Sequence, residues 1–228
     1  MSRHRLLTVF ASILSIALIT APAAAGRHFR HHDGDVIEGS GVMETRSFDL
    51  KDFEAIELEG AMDIEVAFGG RQEVAVTLDD NLFDNLELEV NGRTLTVGWD
   101  KSCDPDGDCR MRITMRKLKA VKIEGAGDIG IRDLSGDAFA YDLYGAGDLE
   151  IDGQVGELDI TLNGAGDVEA RALKAKRVKA LVNGVGDVKV TATESIDARV
   201  NGVGEIDYWG EPEREKTRVG GIGEINRK

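Results

Sequence analysis

The chain is short of several things, and each shortage removes a class of answer. It has four histidines in 228 residues, all before Asp33. The rest of the chain therefore offers no imidazole for a Ser/His or Cys/His relay. Two cysteines are too few for a disulfide-built scaffold. Aromatic residues make up only 5% of the sequence, against what a large aromatic-lined cleft requires. Beyond about Thr20 no uncharged apolar run approaches the ~20 residues of a spanning helix. Basic residues are also outnumbered, 28 Lys and Arg against 42 Asp and Glu, for a formal net charge of −14. Nucleic acid and anionic lipid headgroups repel such a chain, so neither is an expected partner. From Gly125 onward the 3.6-residue period of an amphipathic helix is missing as well.

What is present instead is repetition. A phrase of Gly, a small apolar residue, Gly, an acid and an aliphatic reads GAGDI at Gly125, GAGDL at Gly145 and GAGDV at Gly164. It continues as GVGDV at Gly184, GVGEI at Gly202 and GIGEI at Gly221, with successive spacings of 20, 19, 20, 18 and 19 residues. A period that steady marks one supersecondary unit stacked on the next. Between the phrases the pattern has period two: Leu158, Ile160 and Leu162 alternate with Asp159 and Thr161, which predicts a strand with one buried face. A second short strand follows each phrase, as at Ile129 and Ile131. The fold class expected is all-β, a parallel β-helix whose strands pair with their equivalents one coil up, about 4.8 Å away. The glycines suit sharp corners, and Asn163, Asn183 and Asn201 are placed to form an amide ladder.

Taken in order, the chain begins with Arg3 and Arg5, an apolar run from Leu6 to about Thr20, and Ala23, Ala24 and Ala25. This predicts a secretory signal peptide over residues 1–25 and a periplasmic, cell-surface or extracellular address. Cleavage there removes two basic residues and no acid, leaving 26 basic against 42 acidic side chains. The new terminus would place His28 third, so the amine of Gly26, two amides and the imidazole are a candidate square-planar copper or nickel site, with His31 and His32 nearby. Residues 26–46 are polar and ragged and are expected to be a flexible leader, with one solenoid domain over 47–228.

From Phe48 to Glu124 the sequence alternates without the regular phrase. Strands are expected at residues 55–59, 64–68, 73–78, 86–90, 94–99, 110–115 and 120–123. Asn91 and Gly92 signal a hairpin, and Gly69 and Gly70 another reversal. These make an antiparallel N-terminal region, and GAMDI at Gly60 marks where the solenoid sheet begins. Cys103 and Cys109 bracket DPDGD in an expected hairpin loop. In an exported chain they most simply form a disulfide. The rival reading makes Asp104, Asp106 and Asp108 oxygen ligands for calcium, although the twelfth loop position is Met115 rather than an acid. At the carboxyl end, Glu213, Arg214, Glu215 and Lys216 occupy a stretch that is apolar in other coils, and charge there discourages end-to-end pairing. A monomer or small oligomer is expected.

FEAIELEGAMDIEV at Phe53, DDNLFDNLELEV at Asp79, the GAGD and GVGD series, and YWGEP at Tyr208 together resemble the head GIN domain family of auto-transporter adhesins. The resemblance spans roughly Ser47 to Asn226. It implies a right-handed β-helix, similar in shape to pectate lyases, and a role in adhesion. It carries no catalytic residue to transfer, and the DPDGD loop departs from its pattern.

The most conspicuous chemistry is the column of acids Asp128, Asp148, Asp167, Asp187, Glu205 and Glu224, with Asp63 below. Carboxylates stacked at that spacing repel by about 1 kcal/mol in water. Corner amides donating to each Asp would relieve this, and so would divalent cations bridging coils. A lyase would need a base, for which Lys174, Lys176, Arg177 and Lys179 are the candidates, and cation-bound acids. A solvated face accounts for that basic run equally well. Trp99, Tyr141, Tyr144, Tyr208 and Trp209 are the aromatic candidates for contact with sugar or protein, Trp99 beside the acidic loop foremost. The sequence thus predicts an exported, non-catalytic envelope module that binds a protein or a polysaccharide and needs no cofactor. A lyase-like enzyme and a divalent-cation binder are the alternatives.

Overall fold

The structure, a computed structural model, describes residues 36–228. The signal sequence and the Gly26, His28, His31 and His32 metal candidates lie outside the described residues. The chain forms a β-solenoid of about five turns. Its N-terminal part contains β1 (Ile37–Glu38), β2 (Met43–Phe48), β3 (Ala55–Leu58), β4 (Asp63–Phe68) and β5 (Glu73–Asp79). A short 3-10 helix, Asp80–Asn85, leads into β6 (Leu86–Asn91), β7 (Thr94–Trp99), β8 (Cys103–Asp104), β9 (Arg110–Met115) and β10 (Ala120–Ile123). The coils proper are β11 (Ile129–Leu143), β12 (Leu149–Leu162), β13 (Val168–Val182) and β14 (Val188–Val200). The last turn is β15 (Val203–Trp209), β16 (Arg214–Val219) and β17 (Ile222–Arg227).

Stacking of like on like builds the core. Leu58, Ile123, Leu143, Leu162, Val182 and Val200 follow one another in register up one column. Ile64, Ile129, Leu149, Val168, Val188, Ile206 and Ile225 form a second. All but Ile225 are at most 2% exposed. β11 to β14 are parallel and bend at register shifts rather than breaking, for example between Ile131 and Leu134. The corner phrases continue the stack through single bridges from Ala61 to Ala126, Ala146, Ala165, Val185 and Val203. GAMDI at Gly60 is therefore the first rung, as its sequence suggested.

The corners are so tight that glycine is required. A Cβ on Gly145 would collide with the carbonyl oxygen of Gly125, and Gly147 sits at φ +151° directly over Gly127. The space beside each glycine is filled by the coil below, not left open for a ligand.

The N-terminal region contains the seven expected strands, adds β1, β2 and β8, and does not keep all the expected pairings. β6 and β7 form the antiparallel hairpin, its turn at Gly92 and Arg93, one residue later than the Asn-Gly signal, with Gly92 at φ +60°. β4 and β5 do not pair across Gly69 and Gly70; both flank β9, parallel and antiparallel respectively. The Cys103 loop is likewise no hairpin, because β7 pairs with β3 and β6 while β9 pairs with β4 and β5. The stretch expected to be a flexible leader is ordered where it is described. β1 pairs with β8, and β2 runs antiparallel to β5.

Both ends of the solenoid place an ion pair over apolar core. At the N-terminal end Arg46 bonds Glu44 at 2.8 Å and lies 4.1 Å from the Phe83 ring centre. At the other end Glu215 takes the column position of Ile196 and Arg227 that of Tyr208. Glu215 accepts from the Tyr208 hydroxyl at 3.0 Å and pairs with Arg227 at 3.3 Å. Inward charges at an open sheet end discourage further strand addition.

Candidate functional site

The acid column lies along the corner edge. Because the chain turns immediately after each acid, its side chain reaches the amide of the equivalent acid one coil up. Asp63 accepts from the Asp128 N–H at 3.0 Å, Asp128 from Asp148 at 2.9 Å, and Asp148 from Asp167 at 2.7 Å. Asp167 accepts from Asp187 and Asp187 from Glu205, both at 2.8 Å. One oxygen of each Asp thus satisfies a backbone donor and holds the carboxylate in a fixed direction. Asn183 donates to Asn163 at 2.8 Å and Asn201 to Asn183 at 2.9 Å, forming the amide ladder just before the corner.

Between these two columns runs the middle residue of each phrase, which points outward. It is Ala in the lower coils and then Val185, Val203 and Ile222, which are 56%, 45% and 73% exposed. The corner edge is therefore a flat, rigid strip with an apolar ridge beside a row of carboxylates.

The other acidic features are arranged differently. Asp104, Asp106 and Asp108 alternate outward along their loop while Cys103, Pro105, Gly107 and Cys109 turn inward. Among the described residues, the one group of three ligating side chains whose oxygens all lie within 4.8 Å is Glu57, Glu59 and Glu124. Neither the loop aspartates nor the corner column forms such a group. The Nζ of Lys122 already stands in the glutamate group, 2.7 Å from Glu57 and 2.5 Å from Glu124. Burial, then the neighbouring Glu57 and Glu124, raises the pKa of Glu59.

The expected disulfide is absent: Cys103 and Cys109 are both free thiols. Each cysteine is held by its own neighbours instead. Cys103 belongs to β8 and is held beside Ile37 of β1, with its thiol directed to the Lys101 carbonyl at 3.6 Å. Cys109 precedes β9, and its carbonyl accepts from the Asp63 amide at 3.0 Å. Burial first, and then the nearby Asp79, pushes the Cys109 thiol up to about 11.

A residue that sequence inspection missed organises this region. Asp79 is fully buried and accepts the Gly41 amide at 2.7 Å and the Asp106 amide at 3.2 Å. Asn81 donates to the Glu38 carbonyl at 2.8 Å and accepts from the Ser40 amide at 2.9 Å. The only signal was the polar run Asp79, Asp80, Asn81 at the end of a strand.

The aromatic and basic candidates are mostly occupied. Trp99 is half-buried, with its indole against Gly60. Tyr141 and Tyr208 belong to the core, and the Tyr141 hydroxyl has no partner among the described residues. Trp209 is covered by Arg171, 4.4 Å from its ring. Tyr144 is exposed. Arg177 and Lys179 are paired with Glu157 and Asp159 of the coil below.

Residues 52–212 match the family model described as "putative auto-transporter adhesin, head GIN domain". The chain belongs to that family. A solved structure from Bacteroides fragilis, described as a putative adhesin, is 26% identical, covers 84% of this chain and 100% of its own, and superposes with a TM-score of 0.70. A putative adhesin from Parabacteroides merdae (21% identity, 85% and 100% coverage, TM-score 0.52) shares the fold. So does a putative lipid binding protein from Parabacteroides distasonis (24%, 85% and 100%, TM-score 0.51). Among curated proteins there is no match. No helix of the described residues is long and apolar enough to cross a membrane.

Proposed function

We infer that this head GIN domain is an exported, adhesin-like binding module of the cell envelope that works without catalysis. The observation that carries the reading is the repetition of the outer surface. At the corner each coil repeats an acid at the same place, so these ionisable groups spread along a column instead of converging on one reacting atom, as a hydrolytic or lyase site requires. Of the candidate bases, Lys176, Arg177 and Lys179 lie within 4 Å of acids on adjoining coils and are engaged in ion pairs. A rigid solenoid with an extended, regular surface is suited to contact over area. The family's adhesin description points the same way.

Two measurements test this. Protein purified after export should bind saturably to envelope fragments of its own organism. Incubated with neutral or acidic polysaccharides, with or without calcium, it should yield no new reducing ends and no unsaturated sugars. Cleavage that vanishes in Lys176→Ala or Arg177→Ala would move the protein to the lyase class.

A further inference from the structure

Several outward acids on the flat faces of the solenoid have cationic partners. Glu57 pairs with Lys122, Glu157 with Arg177, Asp159 with Lys179, Glu169 with Lys189, and Asp197 with Arg199 and Lys216. The corner acids differ in degree: among the described residues, none of Asp128, Asp148, Asp167, Asp187, Glu205 and Glu224 has a Lys or Arg within 4 Å, although Lys189, bonded to Glu169, also feels the charges of Asp167 and Asp187. Among the described residues Asp142 and Glu150 on the flat faces also lack an ion pair, but the corner acids form one continuous row, one to a coil, each Asp fixed in direction by an amide. A second observation falls on the same strip. Of the large apolar side chains exposed beyond the N-terminal segment, Tyr144, Val185, Val203 and Ile222 stand on this edge, with Val219 just before it. Apolar surface gathered in one place on a soluble domain marks a contact site.

We propose that the corner edge from Tyr144 to Ile222 is a docking surface for a cationic, amphipathic segment of a partner protein, which lays an apolar strip on the Val185, Val203 and Ile222 ridge and Lys or Arg side chains along the acid column. This rests on the binding-module reading above. Charge selects the occupant. A second copy of this chain would bring a like-charged column, and uronate- or phosphate-bearing polymers are repelled. A neutral sugar would find Tyr144 as the exposed aromatic platform. A bare divalent ion would find no convergent set of three carboxylates at the corner. Desolvated apolar contact supplies affinity, while the carboxylate row supplies steering and register.

The sequence itself offers substitutions that keep the fold. Ala already occupies the ridge position at Ala126, Ala146 and Ala165, and Asn in place of Asp retains an oxygen to accept the corner amide. The test measures binding of the exported protein to three short synthetic peptides, alternating Leu-Lys, Ser-Lys and Leu-Glu, by calorimetry at two salt concentrations. Leu-Lys should bind with an affinity that falls as salt rises, Ser-Lys at least about tenfold more weakly, and Leu-Glu not at all. Val185→Ala with Val203→Ala should weaken Leu-Lys binding roughly tenfold. Asp148→Asn, Asp167→Asn and Asp187→Asn together should weaken it at least as much and flatten its salt dependence. The charge-matched set Asp52→Asn, Asp137→Asn and Glu211→Gln, away from the corner, should leave it unchanged. Equal losses from both charge sets would reduce the effect to net charge and overturn the proposal. So would failure of every peptide to bind, and if the protein still bound envelope fragments saturably, the binding-module reading would survive that result.

Discussion

Between Gly125 and Asn201 the core and the corners of each coil are held to the next by residues of their own kind: valine over leucine in the core, Asn201 on Asn183 on Asn163, each Asp amide on the Asp below. Between Val36 and Ile123 the partners are unlike. Asp79 holds Gly41 and Asp106, Gln72 holds Phe53 and Lys51, and Arg46 covers Phe83. The coils spread their stability over many equivalent contacts, whereas the N-terminal region depends on a few long-range polar latches. Corner glycine replacement should show the difference most sharply. Gly145→Val drives a side chain into the Gly125 carbonyl and should destabilise by more than about 4 kcal/mol. Gly70→Ala, with nothing within 4 Å of the added carbon, should be neutral or stabilising by up to about 1 kcal/mol. Urea unfolding of both variants checks this, and a tolerated Gly145→Val would mean the corners are not close-packed.

Within one coil the contrast is between faces. Ile160 is fully buried, and Ile160→Ala should lose about 2–4 kcal/mol. Its neighbour Asp159 points out to Lys179, and Asp159→Ala should lose no more than about 1 kcal/mol. Similar losses at both positions would refute the alternation on which the core columns rest.

The coils were legible in the sequence because periodicity encodes them twice, once in the 18-to-20-residue spacing and once in the in-out alternation of residues such as Leu158 to Leu162. The amide ladder and the corner hydrogen bonds followed from the same register. Seven strands of the N-terminal region were legible to within a residue or so, but β1, β2 and β8 were not, and neither were most of the partners. Alternation at Glu73–Asp79 says that a strand exists and cannot say that it lies beside β9 instead of β4. The disulfide expectation rested on a hairpin that does not form, and spacing alone does not show how each thiol is held. At the corner, the phrase displayed its acids openly. That those acids lack an ion pair within 4 Å, while Asp159 and Glu157 have one, required the fold, because each cation comes from about 20 residues away.

Asp79 offers a direct test of the latch idea. Asp79→Ala strands two backbone donors and should destabilise by about 1–3 kcal/mol. The loss should be local, with amide exchange quickening in residues 37–42 and 102–106 while β12 and β13 stay protected. By comparison, Asp167→Ala removes one exposed acceptor and should lose only about 1 kcal/mol, and Asp167→Asn less. Uniform loss of protection across the coils in Asp79→Ala would show that the N-terminal region and the solenoid unfold as one unit.

The smallest effect is a pH effect, at the column position where the two regions carry different residues. Glu59 and Glu124 in the N-terminal region occupy the place that Asn163, Asn183 and Asn201 hold in the coils. Neutral amides ladder without repulsion there, whereas the glutamates crowd one another around Lys122. Burial, reinforced by Glu57 and Glu124, lifts the Glu59 pKa above its ordinary value of 4.5. An acid whose folded pKa is raised binds its proton more tightly in the folded state, so its contribution is fully favourable below pH 4.5 and is lost as pH rises through the folded value. At neutral pH the ionised Glu59 therefore destabilises slightly. Glu59→Gln should raise stability at pH 7 by about 0.2–0.5 kcal/mol, a modest figure because solvent screens the group. The gain should disappear well below pH 4.5, where the carboxyl is already neutral. Paired urea titrations at the two pH values decide the point, since a gain that persists in acid would come from the amide's own hydrogen bonds and not from relief of crowded charge.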